Sequence, residues 1–445
     1  MHNAKVDNEN KNEDAIELPS KTSTKEQVSV DVRMYLKSVD VNFKSISFAV
    51  SNGSSGEKKK ILDKVSGNVQ AGEMLAIMGP SGSGKSTLLD FLAGRVDKTK
   101  SGREVSGSVL FAKEKNISFG SIGGYVPQHD ALVGVLTVRE TLMYAVRLRY
   151  GVSKDQIIEN VISAMGLNIC ENTNVGTIFS KGISGGQKRR LSVAVALISD
   201  PSVLMLDEPT SGLDSASALA VMKFLKNLTH TGHTVITTIH QPSSQIWTLF
   251  DKVSFLVEGR HVFFGRRVDV LNYFESLGYK CPSFSNPADF ILGKINVDFP
   301  GHADVDSLVK TWRSKERSIE KVLEPQHGDD DNVSNHSDAN RPGWFSRLVT
   351  LSSRNLVEQR RDPGILGVRL AMYSMLALMV GFMFWDIGSE TNDASIQKRI
   401  SIIFYVAAFM VFMSVAVLPF FMMQREVFVQ ERCNEMFGVS EWVVS

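Results

Sequence analysis

Gly79-Pro80-Ser81-Gly82-Ser83-Gly84-Lys85-Ser86-Thr87 follows the apolar run Met74-Leu75-Ala76-Ile77-Met78 and opens a helical stretch over 88–92. A glycine-rich turn between a buried strand and a helix start is the setting a phosphate-binding loop needs. The glycines let backbone N–H groups converge on phosphate oxygens, and the helix adds the positive end of its dipole. Lys85 is placed to reach the β- and γ-phosphates, and the Ser86 hydroxyl to sit on Mg²⁺. By itself the loop says nucleotide binding and no more.

Downstream, Val203-Leu204-Met205-Leu206 runs into Asp207-Glu208-Pro209. An apolar strand ending in two acids sets carboxylates at the sheet edge beside the phosphates. Asp207 is expected to hold Mg²⁺, mostly through a water, and Glu208 to polarise the water that attacks the γ-phosphate. Without the loop upstream, the two acids would read as an ordinary exposed strand end. A third run, 234–239, ends at His240, whose imidazole could donate to a γ-phosphate oxygen; away from such a strand end, a lone histidine is usually structural. Helical stretches such as 216–227 separate these runs. The alternation argues for an α/β domain whose central parallel sheet is covered on both faces.

Ser184-Gly185-Gly186-Gln187 opens a long helical run one helix upstream of Asp207. A serine and two glycines at a helix start form a second anion site. The loop at 79–87 does not need it, so it makes sense if two copies face each other.

Lys+Arg is 49 and Asp+Glu 48, so no charge excess points to nucleic acid. Cys170, Cys281 and Cys433 lie far apart without CxxC spacing, which fits a reduced cytosolic compartment better than a disulfide framework or a zinc site. Residues 1–37 are polar and poor in aromatics, and are expected to be a disordered tail. The nucleotide domain is expected over 38–300, a polar linker over 301–343 and an amphipathic connecting helix over 344–363. The remainder, 364–445, reads as the start of an all-α transmembrane segment. Within it, 364–385 carries a single charge, Arg369, and 400–423 carries none. About 20 apolar residues cross the hydrocarbon core, so both are expected spans. Arginines before the first span favour a cytosolic nucleotide domain. An integral protein of the plasma membrane is the expectation.

Taken together, the ordered motifs resemble the nucleotide-binding domain of ATP-binding cassette (ABC) proteins, a P-loop NTPase fold. The loop 79–87 matches Walker A, Ser184–Gln187 the signature, 203–208 Walker B, and Ser211-Gly212-Leu213-Asp214 the D-loop. Gln128, in Tyr125-Val126-Pro127-Gln128, and His240 complete the family order. The resemblance covers roughly 41–295. It implies that two such domains sandwich two ATP molecules, Walker A of one facing Ser184–Gln187 of the other. It also implies that Gln128 links Mg²⁺ to the membrane part, that Asp214 belongs to the composite site, and that Phe48, or else Phe43, stacks on adenine. A nucleotide domain preceding the membrane helices resembles the G, or White–Brown, subfamily. So do Leu136-Thr137-Val138-Arg139-Glu140-Thr141-Leu142, Asn286-Pro287-Ala288-Asp289-Phe290, Gln359–Pro363 before the first span, and Gln424-Arg425-Glu426 with Glu431-Arg432.

The implied protein is a half-transporter that pairs as a homodimer or heterodimer in a lipid bilayer and uses ATP and Mg²⁺ to export a lipid, sterol or other lipophilic substrate. Family members continue with further membrane helices, so a fragment or truncated gene model is expected here. Two rivals follow: a truncated, non-transporting partner that regulates full-length subunits, and a non-transport ABC ATPase. The apolar spans count against the second.

Overall fold

The apolar runs become strands because they are short, β-branched or leucine-rich, and closed off by turns. The structure, a computed structural model, describes residues 38–51, 58–97, 102–112, 117–177, 180–298, 300–322, 342–385, 393–415 and 418–445. The expected tail at 1–37 and most of the expected linker lie outside these. Among the described residues there are nine strands: β1 (Val41–Ser51), β2 (Lys58–Val69), β3 (Met74–Met78), β4 (Arg103–Phe111), β5 (Gly123–Val126), β6 (Val203–Leu206), β7 (Thr234–Thr238), β8 (Lys252–Val257) and β9 (Arg260–Arg266).

A six-stranded sheet has the order β5-β6-β7-β3-β8-β9, parallel except for β9. Every residue of β3, β5, β6, β7 and β8 is buried, as a sheet covered on both faces requires. The side chains alternate between two cores. Met74, Ala76 and Met78 of β3 join Leu204 and Leu206 of β6 in one, while Leu75, Ile77, Val203 and Met205 enter the other. The first core is closed by three helices: α2 (Val138–Tyr150), α3 (Gly185–Leu197) and α4 (Ser215–His230). The second is closed by α1 (Lys85–Leu92) and by an antiparallel sheet of order β2-β1-β4. That three-stranded sheet was not legible in the sequence, because its strands are half-exposed and carry register shifts.

Beyond 342 the described residues are mostly helical, with α5 (Trp344–Arg361), α6 (Pro363–Met383), α7 (Asp393–Val415) and α8 (Leu418–Cys433). The second apolar stretch differs from the expected span over 400–423. Its helix begins earlier, at Asp393, and closes at Val415, and a separate helix starts at Leu418-Pro419. Proline has no N–H and its ring collides with the preceding turn, so it belongs at a helix start and not within one. Among the described residues one helix is long and apolar enough to cross a membrane, with its apolar window at Ile396–Met413 and mean hydropathy 1.6; Leu370–Met383 is a shorter apolar helix. Leu370–Met383 is the apolar part of α6, the 21-residue helix that covers most of the first expected span.

The end of α8 does not project away. Phe428, Met436 and Phe437 enter the first core, and Phe428 stacks on Trp442 at 4.4 Å between ring centroids.

Candidate functional site

Parallel register gathers the motifs at one edge. The final pairs are Val126↔Leu206, Leu206↔Thr237 and Ile77↔Thr238. Within three residues beyond them come Gln128, Asp207 with Glu208, Gly79 and His240. This is the carboxyl-end edge, where parallel α/β sheets bind their ligands.

The loop at 79–84 is shaped by two glycines. A Cβ on Gly79 would stand 2.1 Å from the Leu256 carbonyl oxygen, and Gly84, the residue capping α1, has φ +95. The first turn of α1 leaves its N–H groups without helical partners. Lys85 is only 6% exposed, and its ammonium donates to the carbonyls of Gly79 and Pro80 at 2.9 and 2.8 Å. Burial pushes its pKa down, and the charges of Glu208 and Asp207 oppose that. The Ser83 hydroxyl is buried without a hydrogen-bond partner.

From α1 the hydrogen bonds run unbroken to the acids. The Ser86 hydroxyl donates to Asp207 Oδ1 at 3.0 Å, and Thr238 donates to the same oxygen at 2.6 Å. Glu208 N–H donates to Thr238 Oγ1 at 2.8 Å, and Gln128 Nε2 donates to Glu208 Oε2 at 2.7 Å. Glu208 sits at φ 45, a left-handed backbone that costs a non-glycine residue about 1–2 kcal/mol. The donor set fits a magnesium–nucleotide pair: hard oxygens at Ser86 and Asp207, a buried ammonium, an orphan hydroxyl, and a cradle that side chains would fill.

The other expected residues stand apart from this network. Ser184 and Gln187 form a reciprocal capping box on α3, with Ser184 N–H donating to Gln187 Oε1 at 2.8 Å and Gln187 N–H to Ser184 Oγ at 3.3 Å. Asp214 caps α4 by accepting from Ala216 and Ser217 N–H at 3.1 and 3.0 Å, and a hydrogen bond from the Ser217 side chain, with these backbone bonds after it, lowers its pKa. The two helix starts are neighbours, since a Cβ on Gly186 would lie 3.3 Å from Ser217 Oγ. Ser184, Gly185 and Asp214 are exposed, as is His240 at the end of β7. Phe48 is a correction. It is 7% exposed and packed among the second core, so it has no open ring face for adenine. Phe43 is no better placed, being buried edge-on against Phe264.

Sequence reasoning missed three contributors. Thr238 bonds both acids, although a threonine in a β-branched strand carries no signal. Arg189 donates to main-chain carbonyls beyond β5 and β6, some 60 and 18 residues away. In the turn just after α8, Asn434 accepts from Tyr125 N–H at 2.8 Å and donates to the Tyr125 carbonyl at 3.2 Å, closing the free edge of β5. Gln430 accepts from Ala131 N–H at 3.3 Å, Arg354 holds Glu431 with both guanidinium nitrogens, and Arg361 holds Glu140 at 2.6 and 2.9 Å.

Comparison with known proteins places the chain among transporters. Residues 62–211 match the ABC transporter family, and residues 346–445 and 240–316 match two ABC-2 type transporter families. ABC transporter G family member 13 of Arabidopsis thaliana is 34% identical, with 91% of this chain and 65% of that protein covered. ABC transporter G family member 1 of Petunia hybrida is 34% identical, with 96% and 69% covered. The chain thus spans about two thirds of the length of these relatives. A crystal structure of the ADP conformation of an ATP-binding cassette of an ABC transporter aligns with 54% of this chain and 97% of its own, at TM-score 0.44 and 20% identity.

Proposed function

The chain belongs to the ABC transporter G family, and from that premise we propose that it is an ATP-hydrolysing half of a membrane transporter that works as a two-chain assembly. The observation that carries the reading is the unbroken hydrogen-bond path from Ser86 through Asp207, Thr238 and Glu208 to Gln128. Each motif supplies one part of phosphoryl transfer, and the path sets those parts at fixed separations.

Backbone N–H groups of 79–84 and the Lys85 ammonium bind the phosphates. Ser86 and Asp207, with Gln128, would hold Mg²⁺, which when bound neutralises charge developing on the phosphate oxygens. The Glu208 carboxylate orients and polarises the attacking water, and the left-handed backbone at Glu208 turns that carboxylate towards Gln128. His240 donates to a γ-phosphate oxygen. Ser184–Gln187 and Asp214 lie outside the path, on exposed helix starts, and serve the nucleotide of a second chain, identical or not. The apolar helix around 396–413 anchors the assembly in the bilayer of the plasma membrane, with a lipid, sterol or other lipophilic compound as cargo.

The test is complementation in the purified chain. Lys85→Ala and Ser184→Arg chains should each hydrolyse ATP at near-background rates. Mixed, they leave one site with an intact Walker A facing an intact signature, and part of the activity returns. Wild-type activity that is constant per chain across dilution, with monomeric mass for the Glu208→Gln form in ATP, sinks the two-chain reading.

A further inference from the structure

We infer that Arg189 is a positioning residue that pins the chain's own magnesium-side loop to the helix it offers to the partner's nucleotide, so that the two composite sites are linked through one side chain. The inference rests on the two-chain reading above.

Strands β5 and β6 run side by side as far as Val126↔Leu206, and Asp207 N–H donates to the Val126 carbonyl at 2.9 Å. Beyond this pair they part, one arm carrying Pro127 and Gln128, the other Asp207 and Glu208. The Gln128–Glu208 side-chain bond bridges the arms, and Arg189 bridges their carbonyls. One terminal nitrogen of Arg189 donates to the Asp207 carbonyl at 2.6 Å. The other donates to the Pro127 carbonyl, more weakly to that of Gln128 at 3.4 Å, and to Asp130 Oδ1 at 3.0 Å. A planar guanidinium is the one side chain with enough donors, fixed in one plane, to address both arms at once.

As a packing device Arg189 is expensive. It is 2% exposed, and its Nε–H is buried without a partner. A buried cation of this kind is often replaceable by an apolar side chain at no loss of stability. What an apolar side chain cannot do is hold the Asp207 and Pro127 carbonyls at a set separation, and that separation fixes Gln128 against Glu208. Arg189 stands two positions after Gln187, in the same helix that Ser184 and Gln187 cap. A shift of that helix start against a second nucleotide therefore moves the pin, and with it the floor of the chain's own site.

The test uses the full chain and tandem-purified mixed dimers. Wild-type ATPase and dimerisation are checked first, since their absence would defeat the two-chain reading and not this one. The reference dimer pairs Lys85→Ala with wild type and has one live site. Placing Arg189→Met on the wild-type partner breaks the pin beside the live Walker A. Placing it on the Lys85→Ala chain breaks it behind the signature facing the live site. Both dimers should turn over about 10- to 100-fold more slowly per bound nucleotide than the reference, with affinity for a fluorescent ATP analogue nearly unchanged. Arg189→Lys keeps the charge without the fork, should also be slow, and serves where Arg189→Met does not fold. Slowing in only one of the two dimers overturns the link between sites. Wild-type turnover per bound nucleotide in both overturns the positioning role altogether.

Discussion

Strand β5 meets two different kinds of chemistry, one along its paired edge and beyond its C-terminal end, the other along its outer edge. On the β6 side it runs into Gln128, Asp207 and Glu208, where polar groups converge with strain at Glu208 and an orphan hydroxyl at Ser83. On the outer side Asn434 satisfies the N–H and C=O of Tyr125, and Gln430 adds Ala131, in a region packed by Phe428 and Phe437. The first region holds groups poised for a ligand at some expense to the fold. The second holds groups that complete the fold. Substitutions should therefore divide, one set acting on rate and the other on stability.

The largest expected effect lies in the first region. Glu208→Gln keeps the shape of the side chain and a bond to Gln128, but it removes the base. Hydrolysis should fall by about 10²-fold or more, with ATP affinity and melting temperature close to wild type. A Glu208→Gln chain with wild-type turnover would take Glu208 out of the water-activating role. One with normal affinity but a collapsed melting temperature would erase the division between the regions.

The second region reverses the pattern. Asn434 is 2% exposed, and Asn434→Leu leaves the Tyr125 N–H and C=O buried without partners. An unmade buried hydrogen bond costs about 1–3 kcal/mol, so denaturant or thermal unfolding should show a loss of that order. Nucleotide affinity of the folded fraction should hold, because no phosphate-binding group has moved. Unchanged stability would mean that water replaces the Asn434 amide at the β5 edge.

The same division explains what was legible beforehand. Motifs of the first region are contiguous and stand at the ends of fully buried strands, so 79–87 and 203–208 announced the fold and marked the edge where the site is proposed. The parallel order then required no further signal, since strands ending in register bring Gly79, Gln128, Glu208 and His240 to one edge. Contacts of the second region join residues 309 apart for Asn434 and Tyr125, and 221 apart for Arg361 and Glu140. No local pattern marks such pairs. The Phe48 expectation failed for a related reason: β1 is central in its sheet, and a phenylalanine there faces the core whatever its value as a stacking surface. Length and hydropathy located the second apolar stretch, yet Pro419 decided where its helix ends.

The smallest expected effect is a matter of pH. Glu140 serves twice: its carboxylate accepts from Thr137 N–H at 3.0 Å to complete the cap of α2, and it takes both guanidinium nitrogens of Arg361 on α5. The Arg361 bonds, opposed by partial burial, hold its pKa below the usual glutamate value of 4.5. A carboxylate with a depressed folded-state pKa contributes stability that is full above the unfolded value and fades as pH falls through the folded one. Arg361 is 44% exposed at its side chain, so the pair is screened and worth about 0.2–1 kcal/mol at neutral pH. Arg361→Met should thus destabilise slightly at pH 7, and less in high salt. Its difference from wild type should shrink towards zero as the carboxylate protonates below pH 4.5. The cap at Thr137 should weaken in both proteins over that range, so only the difference between them isolates the ion pair. A difference that keeps its size at low pH would assign the loss to packing of the arginine stem on α2, and the contact between α5 and α2 would then rest on shape and not on the ion pair.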